Sequence, residues 1–254
     1  MSQQIIKAFQ KRGNFPSITA DSRYLDISEF YFDTIQGEGI NTGVPAAFLR
    51  LQRCHLGCVY CDTTEVWRFG NPYSFDELFQ MMEESGLVDR LREDQHLIIT
   101  GGSPLLQEYR IFLFLHEFKE RYSFPTITEI ENECVLNPSL LLNYISVWNN
   151  SPKLSSSGVH RRKRYRPEII SYMSLLNNSW FKFVIECEKD WEEIQMDFLN
   201  SGLIRKNQII LMPLGSTRKE LFKHQEETVD LAIKHNVRYC SREHIVLWDK
   251  NVGV

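Results

Sequence analysis

No uninterrupted apolar run in the chain approaches membrane-spanning length, and Met1 to Ala20 carry none of the continuous apolar stretch of a signal peptide. The expectation is a soluble, cytoplasmic protein with no membrane attachment. Charge excess of one sign is also missing: 29 Lys plus Arg stand against 33 Asp plus Glu, a formal net charge of −4. That balance argues against a nucleic-acid binder and against docking on an anionic membrane surface. Cysteines are few, six in 254 residues, and they do not form the even framework of a disulfide-stapled secreted domain. Neither an internal repeat nor a clear interdomain linker breaks the sequence. With 43% hydrophobic residues, the chain can bury a sizeable core.

Half of the cysteines fall in one short stretch, Arg53-Cys-His-Leu-Gly-Cys-Val-Tyr-Cys-Asp62. Thiolates at Cys54, Cys58 and Cys61 can wrap one corner of a 4Fe–4S cube. One iron is then left without a protein ligand, open to the amine and carboxylate of a small molecule. The competing reading is a structural zinc site, which needs a fourth ligand. His55 lies inside the loop, where it closes a tetrahedron poorly, and Cys134, Cys187 and Cys240 each stand alone. Those solitary thiols are expected in the core as small apolar residues.

Apolar periodicity alternates between strand and helix from residue 46 onward. Strands are expected at Ala46 to Leu51, His96 to Thr100, Thr126 to Ile130, Tyr144 to Trp148, Trp180 to Ile185 and Gln208 to Met212. Ile245 to Trp248 reads as a last buried strand. Helices are expected at Leu105 to Tyr122, Asp190 to Leu199 and Arg218 to His235. Another helix starts at the capping-box pair Ser74 and Glu77, with Phe75, Leu78, Phe79 and Met82 on one face, and Thr217 with Glu220 repeats that spacing. Phe112, Phe114 and Phe118 read as packing residues. Interleaved strands and helices give an α/β fold with about six parallel strands, an incomplete TIM-type barrel rather than a closed one. The motifs then sit at the C-terminal ends of strands. Lys153 to Pro167 breaks the rhythm with the basic run His160 to Arg166, which reads as a solvated inserted loop near 154–170 or as an anion-binding patch.

A second motif precedes the cysteines: Phe32-Asp-Thr-Ile-Gln-Gly-Glu-Gly39, then Pro45 to Arg50. Glycine lets backbone approach a ligand closely. Gln36 both donates and accepts, Glu38 accepts, and Arg50 offers a planar fork for a carboxylate. Together they suit a flat heterocycle with a guanidine-like edge and an acid group. Trp67 and Trp148 are candidates to line the site.

The cysteine spacing, followed by Gly101-Gly102-Ser103-Pro104, resembles the radical S-adenosylmethionine (SAM) superfamily. Joined to Gln36-Gly37-Glu38-Gly39, Arg50 and the Asp62-Thr63 step, it resembles the 7-carboxy-7-deazaguanine synthase family. The resemblance covers nearly all of the chain after about residue 28, implying a 1–27 extension and one radical SAM domain at 28–254. It implies a 4Fe–4S cluster on Cys54, Cys58 and Cys61, and SAM against Tyr60, Cys61, Asp62 and Gly102. Ser151-Pro152-Lys153 and Met212-Pro213-Leu214-Gly215 resemble further SAM-contacting turns. Magnesium is implied at the Thr63 hydroxyl. A pterin substrate is implied against Ile35, Gln36, Gly37, Glu38, Arg50, Thr100, Glu131 and the terminal Val254. His244 looks like a family histidine near the substrate, or equally a structural residue.

The implied reaction is radical conversion of 6-carboxy-5,6,7,8-tetrahydropterin to 7-carboxy-7-deazaguanine with loss of ammonia and regeneration of SAM. An electron donor such as flavodoxin or ferredoxin and a homodimeric state go with it. The chain departs from the superfamily at one position. Many members carry Gly-Gly-Glu-Pro, whose glutamate accepts from the SAM amino group, where this chain has Ser103. Two rival readings remain at this level: a glycyl-radical activating enzyme acting on a protein, and a zinc-dependent RNA-binding module using the basic run.

Overall fold

Side-chain alternation along parallel strands sorts this sequence into a helix-facing core and a polar concave face. The computed structural model describes residues 4–6, 22–249 and 251. Strands β1 (Gln4–Ile6), β2 (Tyr24–Ile35) and β3 (Pro45–Leu51) are antiparallel neighbours, and β4 (Asn71–Ser74) also pairs with β2. From β3 onward the neighbours are parallel and in chain order: β5 (His96–Gly101), β6 (Thr128–Asn132), β7 (Val147–Asn150) and β8 (Ser179–Ile185). The series ends with β9 (Ile209–Pro213) and the short β10 (Arg238–Tyr239). Among the described residues β10 does not pair back to β1, so the sheet is the expected open, partial barrel.

Helices fill the outer layer: α1 (Thr64–Trp67), α2 (Phe75–Glu84), α3 (Leu87–Arg92), α4 (Glu108–Tyr122) and α5 (Arg161–Arg164). They continue with α6 (Pro167–Ser174), α7 (Glu188–Ile194), α8 (Arg218–His235) and α9 (Glu243–Trp248). Among the described residues no helix is long and apolar enough to cross a membrane. Leu49 and Leu51 of β3, Leu97 and Ile99 of β5, and Phe181 and Phe183 of β8 pack into one core with Phe79, Phe114 and Phe118 of the helices. Phe79 and Phe114 stack at 5.2 Å. Each such side chain contributes about 1.5–3 kcal/mol when fully buried. The intervening positions Arg50, Thr100, Glu131, Lys182 and Met212 face the other way and line a cavity.

The strands form where the sequence places them, with shifted ends. The β6 strand starts two residues after Thr126, and β7 starts at Val147 because Tyr144 packs beside α4, its hydroxyl 3.0 Å from His116 Nδ1. The long helix expected from Leu105 opens as a 3₁₀ turn, Pro104–Gln107, before α4. The helix expected at Asp190 to Leu199 is α7 followed by a wider π-type turn at Gln195–Leu199. Both capping pairs operate, but Glu220 reaches Ser216 N (2.9 Å) while Thr217 caps Glu220 N. β2 runs unbroken through residue 28, with Leu25 and Ile27 fully buried.

Three expectations are overturned. Ile245 to Trp248 is helical: only Ile245 of α9 is buried, Leu247 is 50% exposed, and Arg218 donates to the carbonyls of Val246 and Leu247 at 2.8 Å. Trp148 lies on the helix side of β7 in the core, one residue out of phase with the cavity. Cys187 is half-buried at the start of α7, where the Asp190 carboxylate accepts from Glu186 N and Cys187 N. Cys134 and Cys240 are buried as expected. The basic run carries the short α5 and is solvated over most of its length, with His160, Arg161, Arg162, Lys163 and Arg166 exposed and Arg164 4% exposed.

A buried polar ladder fixes the exit of β7. Asn132 Nδ2 donates to Asn150 Oδ1 at 2.9 Å, and Asn150 Nδ2 donates to Ser179 Oγ at 2.6 Å. Ser151 N then donates to Asn132 O at 2.6 Å, so the ladder sets the backbone entering Ser151-Pro152-Lys153. Asn150→Ala should leave buried partners unsatisfied and lower stability by about 1–3 kcal/mol in urea unfolding. An unchanged midpoint and slope would remove the ladder from the stability account.

Candidate functional site

The three clustered thiols open onto a single cavity of about 290 Å³, a size that takes a small-molecule ligand. The cysteine loop leaves β3 and is held by the β5 turn. Ser103 N donates to Arg53 O at 2.8 Å, and a Cβ on Gly102 would stand 2.2 Å from that carbonyl and 2.5 Å from Cys54 Cβ. Only glycine allows so close a contact between turn and loop. Leu56, Val135 and Val159 pack against Cys54 and Cys58, which stay half-buried at the cavity. Among the described residues no three His, Cys, Asp or Glu side chains converge closely enough to hold one ion. Cys54, Cys58 and Cys61 all line the cavity, and three thiolates beside open space suit a 4Fe–4S cluster with one iron left for a ligand.

The thiols differ electrostatically. Burial pushes the Cys58 thiol up, helped by its cysteine neighbours and opposed by Lys153. Burial acts the same way on Cys61, but hydrogen bonds from Thr64, Trp67 and Thr63 outweigh it and hold that thiol below its ordinary value. Trp67 Nε1 donates to Cys61 Sγ at 3.4 Å, which gives this tryptophan the cavity position expected of it. The Thr63 hydroxyl lies 3.7 Å from the same sulfur.

The other expected residues gather at the strand ends. Arg50 pairs through Nε with Glu29 Oε2 at 2.9 Å and bonds the Tyr31 phenol. Burial chiefly, and Glu29 next, push that phenol up to about 12, against the pull of Arg50. Thr100 Oγ1 donates to Glu131 Oε2 at 2.7 Å across β5 and β6. Ile35, Gln36, Gly37 and Glu38 line the cavity, and Gln36 Nε2 is buried with no hydrogen-bond partner. A Cβ at Gly37 would meet His244 Nδ1 at 2.2 Å, so the loop lies directly against the start of α9.

On the side assigned to SAM, Tyr60, Cys61, Asp62, Gly102, Ser151, Lys153, Met212 and Leu214 also line the cavity. Pro152, Pro213 and Gly215 are buried behind these turns, and Val254 lies outside the described residues. Lys153 is propped by the basic segment: Arg164 donates to its carbonyl at 2.9 Å and pairs with Glu193 at 2.8 Å. Arg161 pairs with Asp197. Both arginines are bound to the protein's own acids, while Arg162, Lys163 and Arg166 are exposed.

Sequence reading missed Lys182, Arg242 and Glu133, which complete the charged cavity wall. Glu38 contacts Lys182 of β8, and Arg242 Nε donates to Glu38 at 2.8 Å while its other arm reaches Asp62. Burial raises the Glu38 carboxyl, yet Lys182, Arg242 and His244 together hold it well below the usual range. His244 Nε2 lies 3.9 Å from Glu38, and burial, with Arg242 beside it, pushes this imidazole down despite the nearby acids. Glu133, just past β6, is 5% exposed, and burial pushes its carboxyl up against the pull of Lys153 and Ser103. Of the three missed residues, Lys182 alone left a local signal, a lysine within the apolar strand Trp180 to Ile185.

Arg242→Ala should strand Asp62, leave Glu38 to Lys182 and cost about 3–5 kcal/mol, read by chemical denaturation. The Glu38 carboxyl sits below its ordinary 4.5, so its stabilisation is complete above that pH. Below it the unfolded chain takes the proton first and stability falls. Glu38→Gln should flatten this acid limb, and an equally steep limb in the variant would show that Glu38 does not generate it.

Comparison with known proteins bears on the same residues. The family model described as the Radical SAM superfamily matches residues 49–155. The chain is 30% identical over 240 residues to the 7-carboxy-7-deazaguanine synthase of Pyrobaculum aerophilum, spanning 93% of this chain and 99% of that one. It is 25% identical over 252 residues to the enzyme of the same name from Halobacterium salinarum, spanning 90% and 92%. The crystal structure of QueE from Escherichia coli shares the fold, with a TM-score of 0.65 at 23% identity over 87% of this chain and 95% of that one. A match running nearly end to end, on a chain whose cysteine loop opens into the cavity it shares with Gln36 and Arg50, makes this protein a member of the 7-carboxy-7-deazaguanine synthase family of radical SAM enzymes.

Proposed function

We propose that the protein converts 6-carboxy-5,6,7,8-tetrahydropterin to 7-carboxy-7-deazaguanine with release of ammonia, in 7-deazapurine biosynthesis of the queuosine type. The observation that carries this reading is the single cavity in which Cys54, Cys58 and Cys61 meet Gln36, Arg50 and the Thr100–Glu131 pair. When bound, the cluster and SAM supply the hydrogen-atom abstraction that no amino-acid side chain here performs. The chain's own task is to bind, orient and exclude water.

Cys54, Cys58 and Cys61 hold the cluster, and the hydrogen bonds on Cys61 favour its thiolate. SAM lies against Tyr60, Asp62, Gly102, the Ser151-Pro152-Lys153 turn and the turn from Met212 to Gly215. Arg50, fixed by Glu29, receives the substrate carboxylate as a planar fork. Gln36 Nε2, buried and unpaired, donates to a ring or carbonyl acceptor of the pterin. Thr100 and Glu131 face the same ring, and Ile35, Gly37, Glu38 and Val254 complete the substrate side. A magnesium ion held by the Thr63 hydroxyl and the substrate carboxylate suits the oxygen preference of that hard cation. The α9 helix packs on Gly37 and narrows the cavity, which favours a small molecule over a polypeptide substrate. The reading includes a cytoplasmic homodimer reduced by a flavodoxin or ferredoxin.

The deciding experiment is anaerobic reconstitution, incubation with carboxytetrahydropterin, SAM and reductant, and mass spectrometry of the product. A full cluster with SAM bound but no product of the deazaguanine mass would reject the reading. Cys58→Ala should lose the iron and the brown colour, whereas Cys187→Ser should keep both. Thr63→Ala should retain the cluster yet lose most of the stimulation of turnover by magnesium, and an undiminished magnesium response would end the role given to Thr63.

A further inference from the structure

The cavity contains an acid that none of the assigned roles uses. Glu133 follows β6 directly, is 5% exposed, and has a buried Oε1 with no hydrogen-bond partner. A carboxylate oxygen kept from water without a donor is costly, and such an oxygen is normally completed by a cation. The protein's nearby cations do not complete it. His55 Nε2 stands 3.6 Å away, too far for a hydrogen bond. Lys153 Nζ donates instead to Ser151 Oγ at 2.9 Å.

Its position is informative. The β5 and β6 strands are in parallel register, with Ile98 opposite Glu129 and Ile99 opposite Ile130. Carried on at that offset, Glu133 comes level with the Gly102-Ser103 turn. Ser103, where many superfamily members have a glutamate, is 1% exposed and donates to Cys54 Sγ at 3.5 Å. The same hydroxyl stands beside the Glu133 carboxylate and favours its charged form, its one proton serving either the sulfur or the acid. Ser103 therefore links the acid to a cysteine of the cluster loop, and the carboxylate missing from the turn is present one strand away.

We propose that Glu133 is the acceptor for the amino group of SAM in this protein, taking the place of the glutamate that Ser103 replaces. This rests on the radical SAM reading of the cavity. The short serine makes room for the glutamate of the neighbouring strand and orients it through the shared hydroxyl. The cofactor's ammonium then supplies the donor that Oε1 lacks.

The test uses the anaerobically reconstituted full chain and labelled SAM in equilibrium dialysis, with iron and sulfide counted in every sample. Glu133→Gln keeps the shape and removes the charge. It should weaken SAM binding by about 10- to 100-fold, the range for a hydrogen bond to a charged group. Cluster content and the dissociation constant for carboxytetrahydropterin should stay as in the unaltered protein. Unchanged SAM affinity with a full cluster overturns the proposal. So does loss of the cluster in the variant, which would make Glu133 a support of the cysteine loop, and so does weakening of the pterin alone. If the unaltered, cluster-loaded protein fails to bind SAM, the radical SAM reading of the cavity falls and this proposal with it. SAM binding without deazaguanine product would fault only the substrate reading.

Discussion

Glu38 is the point on which the cavity depends. It sits in a glycine-flanked loop after β2, and its carboxylate is held by Lys182 from β8 and Arg242 from just before α9. Those contacts tie the antiparallel edge of an open barrel to its opposite end. An open sheet has no hydrogen bonds to close the circle, so side chains must do so. Charge is a costly way to do this in a buried place, since each ion loses its water. The arrangement is stable because every ion is multiply paired: Arg242 bridges Glu38 and Asp62 and also donates to Gly215 O at 2.5 Å.

The same closure brings the two ligand regions together. Asp62 adjoins the last cysteine, so Arg242 links the cluster loop to the loop assigned to substrate. Gly37 is required because His244 and the start of α9 lie directly on it. A larger residue there would push away the element that carries Arg242. The glycine motif thus works partly by admitting the C-terminal helix, and not only by approaching a ligand.

Much of this was legible in the sequence. α8 matched end to end because an amphipathic period and a threonine cap agree on its limits. The parallel strands were found because short apolar runs alternate with helical ones, though their ends slipped where a turn replaced the first residues. Strand parity was less visible. Trp148 and Asn149 are adjacent, and nothing local says that the asparagine faces inward. The cluster loop and most of its neighbours could be read because their spacing is contiguous. Glu29, Glu133 and Arg242 could not, since their meaning arises only when distant strands and a terminal helix meet. The strand propensity of Ile245 to Leu247 was overridden for a related reason: only one of these residues is fully buried, and a distant arginine caps the helix.

Two of the buried polar atoms that lack a protein partner, Gln36 Nε2 and Glu133 Oε1, belong to residues that line the cavity. A fold could have paired them internally, as it did for Asn132, Asn150 and Ser179 at the exit of β7. Leaving them open costs stability in the empty protein. That cost turns into binding selectivity, because a ligand without the matching group leaves the penalty in place. The ladder and the open groups follow one rule: polar atoms kept from water need a partner. In the ladder the partner is the protein itself, and in the cavity it is a ligand with a complementary edge.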